Sequence, residues 1–151
     1  TTLLSCSREL SLTPPAGARV LAFEKNVHAK NRAIYQTNAD GEFRNGESTH
    51  IFWGGIVTPE VSHRLHANLM SNIPEIYFVL SFPKTGKKVY CTAGKGKESF
   101  GCNIPSQEMK ENEFIIEVFG PKGLKIEKNP EYRLFVGLEG AKEIKFYRPG
   151  K

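Results

Sequence analysis

The sequence predicts an α+β domain, in which one main α-helix packs on a twisted antiparallel β-sheet and an N-terminal β-hairpin precedes the helix. A single capped helix is expected at about residues 59–72, and short apolar segments of strand length follow it to the C-terminus. The composition favours the same interpretation, because ten Phe and five Tyr against two Met and one Trp suit pleated, half-buried surfaces. No catalytic signature in the chain is strong, so the fold prediction leaves the function open.

The helix is predicted by its start signal and by its apolar spacing. Thr58-Pro59-Glu60 offers a capping hydroxyl, a proline at the first helical position and an acid near the positive end of the helix dipole. Apolar residues recur at every fourth position from Val61 to Leu69, which predicts one buried stripe. The helix is expected to end before Pro74.

Strands are predicted on both sides of the helix. A turn is expected at 38–41, after the hairpin, because Asp and Gly favour such positions. The segment 75–82 is a continuous apolar run, which predicts the central strand, covered on both faces. The stretch 107–112 is expected to be a short helical turn or a loop. The other predicted strands are Arg19–Glu24 and Arg32–Thr37 of the hairpin, His50–Val57, Lys88–Thr92, Glu113–Phe119, Leu124–Lys128, Tyr132–Leu138 and Glu143–Arg148.

Length and composition predict one globular domain. The chain has 151 residues, of which 39% are hydrophobic and 25% charged, and this suffices for a single core. Residues 1–17 end in a proline-rich stretch, so they are interpreted as a flexible N-terminal arm before a domain at 18–151. No apolar run approaches the roughly 20 residues that a membrane-spanning helix needs. The formal net charge of +5 suits RNA, DNA or acidic partners, and it suits many secreted proteins equally well.

The three cysteines predict one disulfide and leave one cysteine over. Cys91 and Cys102 are the candidate pair, because a bridge between them closes a small loop, and pairing of Cys6 with either is the alternative. A disulfide favours a secreted or periplasmic location. Leu3-Leu4-Ser5-Cys6 is similar to the processing box of bacterial lipoproteins, which gives the alternative of a periplasmic, lipid-anchored protein serving an envelope assembly complex. No His/Cys spacing suits a structural zinc site, so neither a metal nor a cofactor is expected.

The histidines are candidates for metal binding or proton transfer. His63 and His66 share one face of the predicted helix, but the second helix that such a metal site needs is missing, so a solvated helix face is favoured. His50 beside Glu47 is a candidate general base, and a strand-edge histidine is the simpler interpretation because a mechanism needs at least two placed groups. No catalytic residue is therefore assigned.

A basic segment with interleaved aromatic residues is the main candidate binding site. Lysines attract phosphates and aromatic rings stack on bases, so the segment is the predicted surface for RNA or another partner. The order of a phosphate-binding P-loop is absent. A solvated sheet edge that discourages aggregation is the competing interpretation. The candidate residues are Lys84, Lys87, Lys88, Tyr90, Lys95, Lys97 and Phe100.

The order of hairpin, helix and antiparallel strands resembles that of small secreted fungal ribonucleases and of the ribonuclease-like effectors of plant-pathogenic fungi. The segments on which the resemblance rests are Thr58–Val61, Tyr77–Pro83, Phe114–Val118 and Leu134–Leu138. Active members of that family place a histidine on a strand after the helix, whereas this chain has no histidine after His66. The resemblance therefore implies a catalytically silent, secreted effector, a non-enzymatic interaction protein that binds a host protein or RNA.

Overall fold

The fold is all-β, so the prediction of an α+β domain with one main helix is wrong. The structure is a computed structural model that describes residues 17–28, 32–44, 47–56, 63–93, 100–121, 129–140 and 144–148. No helix occurs among these residues. The strands are β1 (Arg19–Val20), β2 (Glu24–His28), β3 (Arg32–Glu42), β4 (Thr49–Ile56), β5 (His63–Ser71), β6 (Tyr77–Phe82), β7 (Lys87–Tyr90), β8 (Thr92–Ala93), β9 (Phe100–Met109), β10 (Glu113–Phe119), β11 (Glu131–Glu139) and β12 (Ile144–Arg148).

The strands form two six-stranded antiparallel sheets. Sheet A has the order β1-β12-β4-β10-β6-β7, and sheet B has the order β2-β3-β11-β5-β9-β8. Without β2 and the β6–β8 segment, the remaining eight strands have the order of a jelly roll, with β1-β12-β4-β10 in one sheet and β3-β11-β5-β9 in the other. The β6–β8 segment widens both sheets, because β6 and β7 extend sheet A beyond β10 and β8 extends sheet B beyond β9.

The inner faces of the two sheets enclose one hydrophobic core. Burial alternates along the strands, and in β11 every second residue from Tyr132 to Leu138 is buried. The ring of Phe146 lies 5.7 Å from that of Phe52 and 5.8 Å from that of Phe114, measured between centroids. Burying one such side chain stabilises the folded state by about 1.5–3 kcal/mol. A shift of one residue in the strand register would turn all the apolar side chains of that strand outward. The core therefore fixes which residues of each strand point away from it.

The segment predicted as a helix is occupied by β5 where it is described. His63, Leu65, Ala67 and Leu69 are buried, and the residues between them are more exposed. Apolar residues four positions apart lie on the same face of a strand, because four is a multiple of its two-residue period. The same spacing is close to one turn of a helix, so it fits both structures. β11 and β9 pair with β5 from its two sides and satisfy its backbone, which decides between the two. The capping sequence at 58–60 lies outside the described residues.

Other element boundaries also differ from the prediction. An antiparallel pair forms between β2 and β3, but β3 continues through the predicted turn at 38–41, because β11 pairs with it from Ile34 to Glu42. β9 continues to Met109 and so occupies the first half of the stretch 107–112, where a short helical turn or a loop is predicted. The predicted strand Leu124–Lys128 lies outside the described residues.

Candidate binding surface

The outer face of sheet A carries mainly apolar side chains. Phe52, Ile116 and Leu80 oppose one another in adjacent strands and are buried in the core. Residues directly opposite in an antiparallel ladder share a face, so the sequence neighbours of these three point outward. The outward set, called the sheet A face below, consists of Val20, Thr49, Ile51, Trp53, Tyr77, Val79, Ser81, Lys88, Tyr90, Glu113, Ile115, Glu117, Phe119, Lys145 and Tyr147.

The sheet A face holds most of the strongly exposed large apolar side chains of the described part of the chain. There are four such side chains, and three belong to this face: Val20 is 70% exposed, Tyr77 43% and Tyr90 63%. The rings of Tyr77 and Phe119 stack with their centroids 4.9 Å apart. Trp53, the one tryptophan of the chain, is half-buried on β4 between β12 and β10. A contiguous apolar patch of this kind typically marks an interaction site.

The outer face of sheet B is polar by contrast. The exposed Asp40 and Arg133 form an ion pair there, with 2.7 Å between the carboxylate and the guanidinium Nε. The guanidinium of Arg64 donates to the hydroxyl of Ser106 at 2.9 Å. Met70 is the fourth strongly exposed apolar side chain, and it lies on this face. An antiparallel sheet of a sandwich ordinarily turns polar residues to water, so sheet B follows the common pattern and sheet A departs from it.

The described residues of the predicted lysine-rich binding site do not lie on one surface. Lys84 lies among acceptors, with its Nζ 3.8 Å from the Glu113 carboxylate and donating to Asn112 Oδ1 at 3.2 Å, so its charge is already engaged. Lys88 and Tyr90 belong to the sheet A face, whereas Lys87 opposes Phe82 and points to the other side of the sheet. The structure therefore brings only two of these candidates together on the apolar surface.

The remaining candidates of that site are not placed. Lys95 and Lys97 lie outside the described residues, and Phe100 is described only by its backbone, at the start of β9. That all seven candidates form one surface for RNA or a partner stays a prediction.

The disulfide between Cys91 and Cys102 is confirmed. Cys91 lies where the chain passes from β7 of sheet A to β8 of sheet B, and its N–H donates to the carbonyl of Phe78 in β6. Cys102 belongs to β9, so the bridge fastens this crossing to sheet B. A disulfide is compatible with an extracellular or periplasmic location. Lipid attachment at Cys6 stays a prediction, because Cys6 lies outside the described residues.

His50 and Glu47, the candidate general-base pair, do meet, with the exposed Glu47 at the edge of a cluster in which His50 and Tyr132 are buried. His50 is 8% exposed and its ring stacks on Phe43 with centroids 4.3 Å apart. Its Nε2 lies 3.3 Å from a carboxylate oxygen of Glu47, and its Nδ1 lies 2.6 Å from the hydroxyl of Tyr132. A carboxylate only accepts, so Nε2–H donates to Glu47 and Nδ1 accepts from the phenol. Both ring nitrogens are thus engaged within the protein, which favours a structural role.

The acidities in the cluster support this pattern of donors and acceptors. Burial raises the pKa of the Tyr132 phenol, the charge of Arg148 lowers it in part, and Glu47 raises it. Burial alone would raise the pKa of Glu47, but hydrogen bonds from the Arg44 backbone N–H and from His50 outweigh it, so the pKa is lowered. The phenol therefore keeps its proton for His50, and the carboxylate stays ionised.

His63 and His66 do not share a face, because they lie three residues apart on a strand rather than on a helix. His63 points into the core and is 2% exposed. His66 lies on the outer face of sheet B over Gly137, with its ring centroid 5.5 Å from that of Phe135. Burial lowers the pKa of His66, and the charge of Glu139 opposes this shift. In the described part of the chain no three His, Cys, Asp or Glu residues are grouped so that they could hold a metal ion.

No family model, curated protein or solved structure matches this chain. The resemblance to ribonuclease-like effectors stays a prediction, and β5 replaces the described part of the helix that contributed to it. No helix in the described ranges is long and apolar enough to cross a membrane.

Of the sheet A face, only Lys88 and Tyr90 are among the binding residues that the sequence predicts. The available signal was the run Ile51-Phe52-Trp53, and the similar runs in β6 and β10, in which consecutive residues are apolar. In an antiparallel sandwich only one set of alternate residues enters the core, so a continuous run predicts an apolar outer face. The sequence analysis instead predicts that the run 75–82 is a central strand covered on both faces. β6 is not the central strand, because it lies next to the edge strand of sheet A. Its middle is covered on both faces, since the consecutive residues Phe78, Val79 and Leu80 are all buried, whereas Tyr77 at its start is exposed.

Proposed function

We propose that this protein is a non-enzymatic interaction protein that binds a protein surface through the sheet A face. The observation that carries the proposal is the contrast between the two outer faces, polar on sheet B and aromatic on sheet A. Apolar surface gains about 25 cal/mol for each Å² removed from water, so covering the sheet A face is favourable for a partner of matching shape.

The chemistry of the face favours a protein over RNA as the partner. Glu117 lies in the ladder between Ile51 and Val79, near the middle of the apolar patch, where its carboxylate repels phosphate groups. Lys84 is engaged by acidic and amide groups and adds no free charge. Exposed Tyr side chains beside a half-buried Trp and Phe, with few charges, are the composition that protein interfaces favour.

Site-specific photocrosslinking tests the proposal. Benzoylphenylalanine replaces Tyr77 or Tyr90, and the control proteins carry it at Asn38 or Asn103 on the outer face of sheet B. Protein adducts formed from the sheet A positions and not from the sheet B positions are expected after irradiation in an extract of the source organism. Equal labelling from both faces, or none from either, would overturn the proposal.

A salt series with RNA tests the competing partner class. RNA binding through this face would weaken as the salt concentration rises and would be reduced by Lys88→Glu. We expect that the purified protein shows no such binding. If both effects are seen, RNA is the partner and the proposal of a protein partner is wrong.

A further inference from the structure

We propose that the outer face of sheet B binds a neutral, extended oligosaccharide along a row of asparagine side chains that flank Phe135. This face lies on the opposite side of the sandwich from the sheet A face, so the inference goes beyond the proposed function and does not depend on it. Three features support it: the alignment of the asparagines, their free hydrogen-bonding groups and the position of the charges on the face.

The row crosses five strands in register. Phe135 of β11 lies directly opposite Asn38 of β3 on one side and Asn68 of β5 on the other. Asn68 lies opposite Asn103 of β9, which lies opposite Thr92 of β8. Residues opposite one another in antiparallel strands share a face, so these five residues, called the asparagine row below, form one line across the sheet. With strands about 4.8 Å apart, the line is roughly 19 Å long, which suits a chain of several sugar rings.

The three asparagine side chains are available to a ligand. Asn38 and Asn103 are exposed and Asn68 is half-buried, and no described residue hydrogen-bonds their side-chain amides. Each amide offers two N–H donors and a carbonyl acceptor, which match hydroxyl groups because a hydroxyl both donates and accepts. Asparagine is depleted in strands, so three of them at opposing positions run against local preference. Such a departure from the local rule is typical of functional sites.

Two rings provide an apolar surface beside the amides. Phe135 is half-buried between Asn38 and Asn68, and the ring of His66 lies with its centroid 5.5 Å from that of Phe135. His66 reaches this position because it lies over Gly137, where a Cβ atom would overlap the imidazole. The C–H face of a sugar ring packs on aromatic side chains, while its hydroxyls extend sideways to the amides.

The charges of the face lie on either side of the row. Asp40 and Arg133 are paired with each other on one side, at 2.7 Å. Arg64 lies opposite Glu139 on the other side, and the ring of His66 is uncharged near neutral pH because burial lowers its pKa. A phosphate-bearing ligand therefore finds no free cation in the row. A polyhydroxyl chain requires none, and a straight row fits an extended, β-linked chain better than a coiled one.

The test is an NMR titration of the full chain labelled with ¹⁵N, because the side-chain amides of the asparagines give signals of their own. The probes are cellohexaose and chitohexaose, which are extended β-linked chains, and maltohexaose, which coils. One or both β-linked probes are expected to shift the amides of Asn38, Asn68 and Asn103 with a dissociation constant on the order of 10 µM to 1 mM. The two β-linked arms distinguish a glucose polymer from an N-acetylglucosamine polymer.

Matched variants locate the contact. Asn38→Ala, Asn68→Ala and Phe135→Leu are each expected to raise the dissociation constant at least about threefold, since each removes hydrogen bonds or ring stacking. Tyr90→Leu, which removes an exposed ring from the sheet A face, should change it less than about twofold. Circular dichroism confirms that each variant is folded, and Asn38 is exposed, so its replacement leaves the core intact.

Three outcomes overturn the inference. One is that neither β-linked probe shifts the asparagine amides. Another is that maltohexaose binds as tightly as the β-linked chains or more tightly. The third is that Asn38→Ala and Asn68→Ala leave the dissociation constant unchanged. A free polysaccharide gives no protein adduct in the crosslinking experiment, so this inference and the proposed function can fail separately.

Discussion

The hydroxyl of Tyr132 and Nδ1 of His50 are joined by a hydrogen bond of 2.6 Å between residues 82 positions apart in the chain. His50 belongs to β4 of sheet A and Tyr132 to β11 of sheet B, so the bond links the two sheets across the core. The Tyr132 ring lies directly over Gly41 of β3, where a Cβ atom would overlap it. The hydrogen bond between His50 and Tyr132 and the packing of the Tyr132 ring on Gly41 thus connect β4, β11 and β3 at one end of the sandwich.

Removing the Tyr132 hydroxyl should destabilise the protein. Tyr132→Phe leaves Nδ1 of the buried His50 without its donor, and an unsatisfied buried group costs about 1–3 kcal/mol. Urea unfolding should show a loss of this size in the free energy of unfolding. The matched control is Tyr35→Phe in β3, because no described residue hydrogen-bonds the Tyr35 hydroxyl, and it should have a much smaller effect. Equal losses in both variants would contradict a role for the hydrogen bond.

The same phenol should make the protein sensitive to alkali. Its pKa is raised by burial above the ordinary tyrosine value of 10.0, so above pH 10 the unfolded chain loses this proton while the folded chain keeps it. The unfolded state then binds fewer protons, and stability falls as the pH rises. Unfolding curves between pH 9 and pH 11 should show a steeper loss for the wild type than for Tyr132→Phe. Parallel curves would argue that Tyr132 titrates as it does in the unfolded chain.

His66 should titrate below its ordinary value of 6.5, because burial disfavours its charged form. NMR of the imidazole protons measures this pKa directly. Glu139→Gln removes the carboxylate that opposes the shift, so the pKa should fall further, while Glu131→Gln at the far end of β11 should leave it unchanged. Since the folded pKa is depressed, the stability that His66 contributes is present above pH 6.5 and is lost as the pH falls. A rise of the His66 pKa in Glu139→Gln would refute the assignment.

Two glycines on sheet B should differ strongly in their tolerance of alanine. A Cβ at Gly101 would overlap the backbone carbonyl oxygen of Leu69 in the paired strand, whereas a Cβ at Gly137 would meet the half-exposed imidazole of His66. The backbone is held by the ladder and the imidazole can rotate away. Gly101→Ala should therefore lower the midpoint of urea unfolding much more than Gly137→Ala does. Similar midpoints would mean that the β5–β9 ladder yields at this position.

Strands whose ends are marked by turn residues could be predicted from the sequence. The bounds Glu113–Phe119 of β10 were predicted correctly, because Gly120-Pro121 ends an apolar run of strand length there. The Cys91–Cys102 disulfide was also predictable, since the short loop between these residues favours their pairing. Both features are decided by residues close to one another in the chain.

The rest depends on partners far away in the sequence. The spacing from Leu65 to Leu69 fits a helix and a strand equally, and pairing with β9 and β11 selects the strand. The sheet A face is likewise defined only when β4, β10 and β6 lie side by side in their observed register. The hydrogen bond between His50 and Tyr132 joins the two sheets, and no pattern of neighbouring residues in the sequence predicts it.

The pairing of β1 with β12 places Arg19 directly opposite Arg148. The first and last described strands therefore lie side by side at one edge of sheet A, although nearly the whole chain separates them. A circular permutant follows from this arrangement, with a short connector from residue 148 to residue 17 and new ends opened at the exposed Thr85–Gly86 turn. Such a permutant would keep each strand pairing described above, so the order in which the ribosome makes the strands is separable from the way in which they assemble.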